Sequence, residues 1–234
     1  MKKSLLAIVF ITSTLFGTPT KEALTASLQS IDCYESFDKI SVRGDPRENY
    51  GSSFKAHMKR YQATQEEYEV IEKKFKAADI PLFFSLIPYC ESNFKKNSRG
   101  NGTAGLWQFM AQSGRTYGLT IKKGYDERTD ICLSTDAAIR YIKDLKKEFG
   151  SWYLADFAYG MGEIKLKRLI KKNGSKKAST LLNDSEFPKG TREHFNKTLL
   201  LDAAIHHSNS SKEPTMVIEE EAVISDSSEP QALH

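Results

Sequence analysis

Glu91 is the side chain of this sequence best placed for acid–base work. It follows the apolar run Leu86-Ile87-Pro88-Tyr89-Cys90 and precedes the polar stretch Ser92-Asn93-Phe94-Lys95, so a carboxyl half-buried among aromatics is expected there. Desolvation disfavours the charged form of such a group and raises its pKa, and a carboxylic acid that keeps its proton near neutrality can protonate a departing oxygen. Two other segments offer surfaces for a ligand. In 102–110, Gly102, Thr103, Ala104 and Gly105 permit close backbone approach, while Trp107 and Phe109 flank the amide of Gln108. An apolar ring face beside amide groups suits a sugar, although both aromatics also suit a core. In 158–163 the phenol of Tyr159 precedes Gly160 and Gly162, a helix break able to line the same cleft. Asp126, Glu127, Asp130 and Glu163 are candidate second carboxylates, each equally suited to a surface or capping position. No metal or cofactor is expected, because Cys33, Cys90 and Cys132 lie far apart and His57, His194, His206, His207 and His234 have no metal-ligand spacing.

Helices must position these groups, since apolar residues recur at helical spacing and alternation is almost absent. Thr64-Gln65-Glu66-Glu67 reads as a capping box ahead of Tyr68, Ile71, Phe75 and Ala78. Pro81 opens the helix that leads to Glu91, and Pro88 must kink or restart it. Residues 95–103 read as a loop. Ser134 is expected to cap a helix carrying Ala138, Tyr141, Ile142, Leu145 and Phe149 up to Gly150. A short, very apolar helix over 152–159, the break at 160–162, a basic amphipathic helix over 163–172 ended by Gly174, a turn at Pro188-Lys189-Gly190 and a last helix to about His207 complete the mainly α chain.

Four segments, taken in order, carry a family resemblance: Ile87-Pro88-Tyr89-Cys90-Glu91-Ser92-Asn93-Phe94, then Gly105-Leu106-Trp107-Gln108-Phe109-Met110, then Asp126-Glu127-Arg128-Thr129-Asp130 with Ser134-Thr135-Asp136-Ala137-Ala138, then Ala158-Tyr159-Gly160-Met161-Gly162. Together they resemble the lytic transglycosylase domain of the soluble-transglycosylase type, in its membrane-bound transglycosylase D subgroup, over about 50–207. The resemblance implies a goose-type-lysozyme-like fold, mainly α with few or no strands. It also implies cleavage of the β-1,4 bond between N-acetylmuramic acid and N-acetylglucosamine of peptidoglycan, leaving 1,6-anhydromuramyl ends. By resemblance Glu91 is the catalytic acid and base, Ser92 holds the muramyl acetamido or lactyl region, Gln108 with the backbone around Gly105 and Met110 lines the glycan cleft, Tyr159 orients the catalytic carboxyl, and Tyr141 supports that wall. The family usually has Asn where this chain has Gly160, so one hydrogen bond to an acetamido group is absent or supplied from elsewhere; a neutral bond of that kind is worth about 0.5–1.5 kcal/mol. Two alternatives follow from the same residues: a scaffold that grips glycan without cleaving it, and a muramidase that delivers water.

The ends differ from the middle. Lys2 and Lys3 followed by a short apolar run read as an export segment, taken here as 1–26 with residue 17 as the other acceptable small-residue ending, or else as an uncleaved membrane anchor. Residues 27–49 are expected as a linker or N-terminal extension, 50–207 as the catalytic domain with its N-terminal helix, and 208–234, with one lysine against six acids, as a solvated disordered tail. Without its ends the chain is mildly basic, which suits an anionic polymer, nucleic acid or wall glycan, without distinguishing them; the basic residues of 164–172 interleave with apolar ones as a solvated helix face does, and the export segment argues against nucleic acid, so none is expected. A periplasmic monomer is expected. Three cysteines in an oxidising compartment leave at least one thiol without an intramolecular partner.

Overall fold

The computed structural model describes residues 17–41 and 43–208. The order begins with α1 (Lys21–Ser30), α2 (Phe37–Ile40), α3 (Pro46–Asn49), α4 (Gly51–Ala63) and α5 (Gln65–Ala77), after which a 3-10 turn (Leu82–Leu86) leads into α6 (Ile87–Ser92). Three two-residue strands, β1 (Arg99–Gly100), β2 (Thr103–Ala104) and β3 (Phe109–Met110), pair antiparallel in that order, with Ala104 opposite both Arg99 and Phe109. Next come α7 (Ala111–Thr116) and the hairpin β4 (Ile121–Lys122) and β5 (Tyr125–Asp126). The chain continues as α8 (Ile131–Phe149), α9 (Trp152–Met161), α10 (Glu163–Asn173), α11 (Ala178–Asn183) and α12 (Lys189–His206). The mainly α class is as expected, with the strands confined to short loop clips.

The centre of the fold is α12. Phe195 and the run Leu199, Leu200, Leu201, Ala203 and Ala204 are all buried, so the C-terminal half of this helix is enclosed on nearly every side. It packs on α1, α4, α6, α9 and the 3-10 turn. Phe195 lies edge-on to Phe157 of α9 at 5.2 Å and near Phe83 at 6.1 Å, tying three elements through one aromatic cluster.

Several local expectations are corrected. In residues 27–49, expected as a linker or N-terminal extension, Leu28, Ile31, Cys33, Phe37 and Ile40 are buried and Asp32 pairs with Lys146 of α8, so the segment packs on the domain as an extension would. Their apolar side chains need the core that α12 provides. The first helix starts at Lys21, where Thr20 Oγ1 accepts from the Ala23 amide at 3.2 Å, and Leu24 is fully buried, so a break at residue 26 would divide α1 whereas residue 17 precedes it. Thr64 makes no capping bond; its hydroxyl bonds the Arg60 carbonyl and the Tyr89 phenol instead. Asp130, not Ser134, caps α8 by accepting from the Leu133 amide at 2.7 Å. Pro188 is the N-cap of α12, which puts Gly190 in its first turn. The export segment up to residue 16 and the acidic tail beyond residue 208 lie outside the described residues.

Candidate active site

Pro88 has no amide hydrogen to donate, so the 3-10 turn ends and α6 restarts around it, with the proline in its first turn. One turn later the chain leaves the helix through Asn93 and Phe94, both at positive φ, and Phe94 folds back onto Tyr89 with ring centroids 4.5 Å apart. Glu91 is thereby held at the end of α6 with its side chain 28 % exposed. It faces a cleft of about 200 Å³ lined also by Trp107, Gln108, Phe109, Met110, Ser113, Tyr141, Tyr159 and Gly160.

The opposite wall is the β1–β3 clip. Its turn is locked by Arg128, a nearly buried cation that donates to the carbonyls of Gly102 and Phe109 and forks onto Asp126. Gly105, at φ +83°, lies so close to the Arg128 carbonyl that a Cβ there would be 1.7 Å from its oxygen. That packing presents Gln108, itself at positive φ, whose Nε2 donates to the Gly105 carbonyl at 2.7 Å and whose Oε1 accepts from Thr103. Tyr141 and Tyr159 form an aromatic side of the cleft, with centroids 5.6 Å apart, and Tyr117, outside the cleft lining, lies 4.9 Å from Tyr141. Burial pushes the Tyr117 phenol up to about 12 and raises those of Tyr141 and Tyr159 as well, so all three are neutral at physiological pH.

The structure thus brings Glu91, Gln108, Met110, Tyr141 and Tyr159 to one cleft. Ser92 is not there: it is buried and its hydroxyl donates to the Pro88 carbonyl, one turn back in its own helix. Gly105 shapes the loop from behind. Trp107 borders the cleft but is only 1 % exposed, its ring stacked on Phe75 and its Nε1 donating to Thr135, so it is a core side chain. Tyr159 does not hold the carboxyl; its hydroxyl donates to the Trp107 carbonyl at 2.6 Å and ties the loop to α9. None of the four candidate second carboxylates lines this cleft. Asp126 is held well below the usual carboxylate range by Arg128, Glu127 accepts from the Thr120 amide, Asp130 caps α8, and Glu163 lines a neighbouring groove.

What orients Glu91 is a pair of residues that sequence reasoning passed over. His194 of α12 brings Nδ1 to 2.9 Å from Glu91 Oε1, a close approach whose N–H direction is off-line, and its Nε2 is 3.1 Å from Asp156 Oδ1 of α9. His194 is 7 % exposed and Asp156 fully buried, and the Tyr159 ring lies parallel to the imidazole. Burial works against the imidazolium, but Asp156 and then Glu91 outweigh it and raise His194 well above its ordinary value. Burial likewise pushes the Glu91 carboxyl up, yet His194 prevails and leaves it below its ordinary value, contrary to the rise expected from burial alone. One signal was available: Asp156 is the only charged residue of the apolar stretch 152–159. A buried acid there requires a cation from elsewhere in the fold.

Residues 53–182 match the family described as the transglycosylase SLT domain. Membrane-bound lytic murein transglycosylase D of Escherichia coli strain K12 is 34% identical over 140 residues, 59% of this chain and 31% of that protein, and its counterpart in strain CFT073 matches equally. A protein of Alteromonas sp. strain M-1 named for tributyltin chloride resistance is 34% identical over 106 residues, 44% of this chain and 51% of that one. The chain therefore spans about a third of the length of the transglycosylase D relatives.

Proposed function

Since this chain belongs to the transglycosylase SLT domain family, we propose that it is a peptidoglycan lytic transglycosylase, cleaving the β-1,4 bond between N-acetylmuramic acid and N-acetylglucosamine and leaving 1,6-anhydromuramyl ends. The observation that carries this reading is that Glu91 is the one carboxylate, among the described residues, lining an aromatic-walled cleft. A glycosidase of the ordinary kind needs two carboxyl groups across the scissile bond, about 5–9.5 Å apart. A substrate-assisted one needs a single acid. Glu91 protonates the departing oxygen while the muramyl acetamido oxygen attacks its own anomeric carbon; the resulting carboxylate then takes the proton of the 6-hydroxyl, which displaces the acetamido group and closes the anhydro ring. Tyr141, Tyr159 and the exposed Met110 offer apolar surface to sugar rings, and Gln108 and Ser113 offer polar groups at the wall.

The proposed place of work is the periplasm, reached by export through the N-terminal segment, with peptidoglycan strands as the partner of a monomeric protein. No described helix is long and apolar enough to cross a membrane. The test is mass spectrometry of muropeptides released from isolated peptidoglycan by the wild type and by Glu91→Gln. Anhydromuramyl ends from the wild type and none from the variant are expected. Products one water heavier, or unchanged turnover in the variant, would overturn the mechanism.

A further inference from the structure

The cleft has a feature that a lone catalytic carboxylate does not need. Its acid must carry a proton when the glycosidic oxygen arrives, yet the group beside it is an imidazole pinned between two carboxylates. Asp156 sits in an apolar helix, fully buried, with Oδ2 lacking any hydrogen-bond partner and Oδ1 on His194 Nε2. An ionised carboxylate so placed is stable only with a counter-charge in contact, and the imidazole supplies it. Glu91 is the one member of the array that reaches the cleft; His194 and Asp156 are sealed behind it and cannot touch a glycan.

We propose that His194, charged by Asp156, stores the proton that Glu91 gives to the glycosidic oxygen, so that the array and not the carboxyl alone keeps the enzyme in its acid form. The proposal rests on the transglycosylase reading of the cleft. At rest Glu91 is a carboxylate, His194 an imidazolium and Asp156 a carboxylate. On substrate approach the Nδ1–H bond breaks and an Oε1–H bond forms, leaving a neutral imidazole whose Nε2–H still donates to Asp156. That proton then passes from Oε1 to the leaving oxygen, which keeps the electron pair of the broken C1–O bond. In the second half Glu91 accepts the proton of the 6-hydroxyl as the new O6–C1 bond forms, and Nδ1 recovers it. No proton need enter from solvent, and the off-line 2.9 Å approach becomes productive with a small rotation of either side chain. His194 and Asp156 are positioning residues, acting through Glu91.

The surroundings favour a stable store. From α6 come Glu91 and the Cys90 thiol, which burial raises; from α9, Asp156 and the Tyr159 phenol, also raised by burial. Along α12 lie Glu193 and Lys197, and α4 contributes His57, lowered by burial and by Lys197. Cys90, Tyr159 and His57 are neutral at working pH, so the field at His194 is set by its two carboxylates, Asp156 and Glu91.

The test is the pH dependence of anhydromuropeptide release by the full chain, with nitrogen-15 NMR of the histidines alongside. Wild type is expected to keep its rate through and above neutral pH. Asp156→Asn and His194→Gln are expected to retain activity within about tenfold near pH 5, where Glu91 protonates unaided, and to lose it at neutrality, moving the alkaline limb down by about one pH unit or more. A uniform drop at every pH, with the limb unmoved, would mean that the pair only supports the helices and would overturn the proposal. Should the variants fail to fold, the wild-type spectrum decides: an imidazolium with both ring nitrogens protonated at neutral pH is expected, and a neutral ring there overturns the store. That readout needs no turnover, so an absence of anhydro products would count against the transglycosylase reading and leave the array's protonation measurable.

Discussion

Gly105→Ala isolates the packing that builds the cleft. At φ +83° an L residue pays about 1–3 kcal/mol in backbone strain. Its Cβ would also lie 1.7 Å from the Arg128 carbonyl oxygen, with the adjoining carbonyl carbon at 2.6 Å. Backbone atoms cannot swing aside like the end of a side chain, so either the 102–110 loop or the Arg128 turn must move. Moving it disturbs the guanidinium bonds to Gly102, Phe109 and Asp126, and overpacking of this kind costs about 1–3 kcal/mol more. The sum, about 2–6 kcal/mol, corresponds to a fall in Tm on the order of 5–20 °C for a domain of this size. Circular-dichroism melts would measure it, with Gly190→Ala as the control: no atom lies within 4 Å of an added Cβ there, and the change should stay within about 1 kcal/mol of wild type. The loop also presents Gln108, so glycan cleavage should fall further than the melt alone explains. A Gly105→Ala protein melting with the wild type would refute the close approach and with it the account of how the clip is held.

Three further outcomes are expected. A chain beginning at residue 27 should melt well below one beginning at residue 18, because it loses the Thr20 cap and the buried Leu24, a difference of about 2–4 kcal/mol; equal melts would show that α1 is dispensable. Asp202, fully buried, is raised by burial but lowered on balance by His206 and His207, and it also accepts from Ser27. Its contribution is therefore complete above the ordinary carboxylate range and lost as the pH falls through its depressed folded value. Asp202→Asn should cost about 1.5–3 kcal/mol in urea unfolding at neutral pH, with the gap closing in acid; a gap that persists at the lowest pH would exclude the ionised pairing. All three cysteines are free thiols; a maleimide should modify exposed Cys132 in the native protein and spare Cys33, buried and pushed up to about 12, and labelling of Cys33 as fast as Cys132 would contradict its burial.

Much of this molecule is written locally and was therefore legible before the fold. Helical spacing and the stops at Gly150 and Gly174 depend on residues within a few positions of one another, as does the restart at Pro88 that leaves Glu91 at a helix end; the break expected over 160–162 falls only at Gly162, because α9 continues through Gly160 and Met161. Caps were less legible: Thr64, Ser134 and the Pro188 turn went wrong because a hydroxyl or a proline chooses among several local partners and the rest of the fold decides which is free. The same limit applied to α1–α3, whose short apolar patches are covered by distant elements, α1 and α3 by α12 and α2 by α11.

By itself the sequence determined the mainly α class and the family motifs, and it singled out Glu91 as the candidate acid, since each is a matter of residue type and near-neighbour spacing. The tertiary structure alone decided which side chains face the cleft. It turned Trp107 and Ser92 inward, gave the Tyr159 hydroxyl to the Trp107 carbonyl, and placed His194 and Asp156, from two separate helices, behind Glu91. It also reversed the expected direction of the Glu91 pKa, because burial is suggested by a run of apolar neighbours but a counter-charge arriving from a distant helix is visible only once the helices pack.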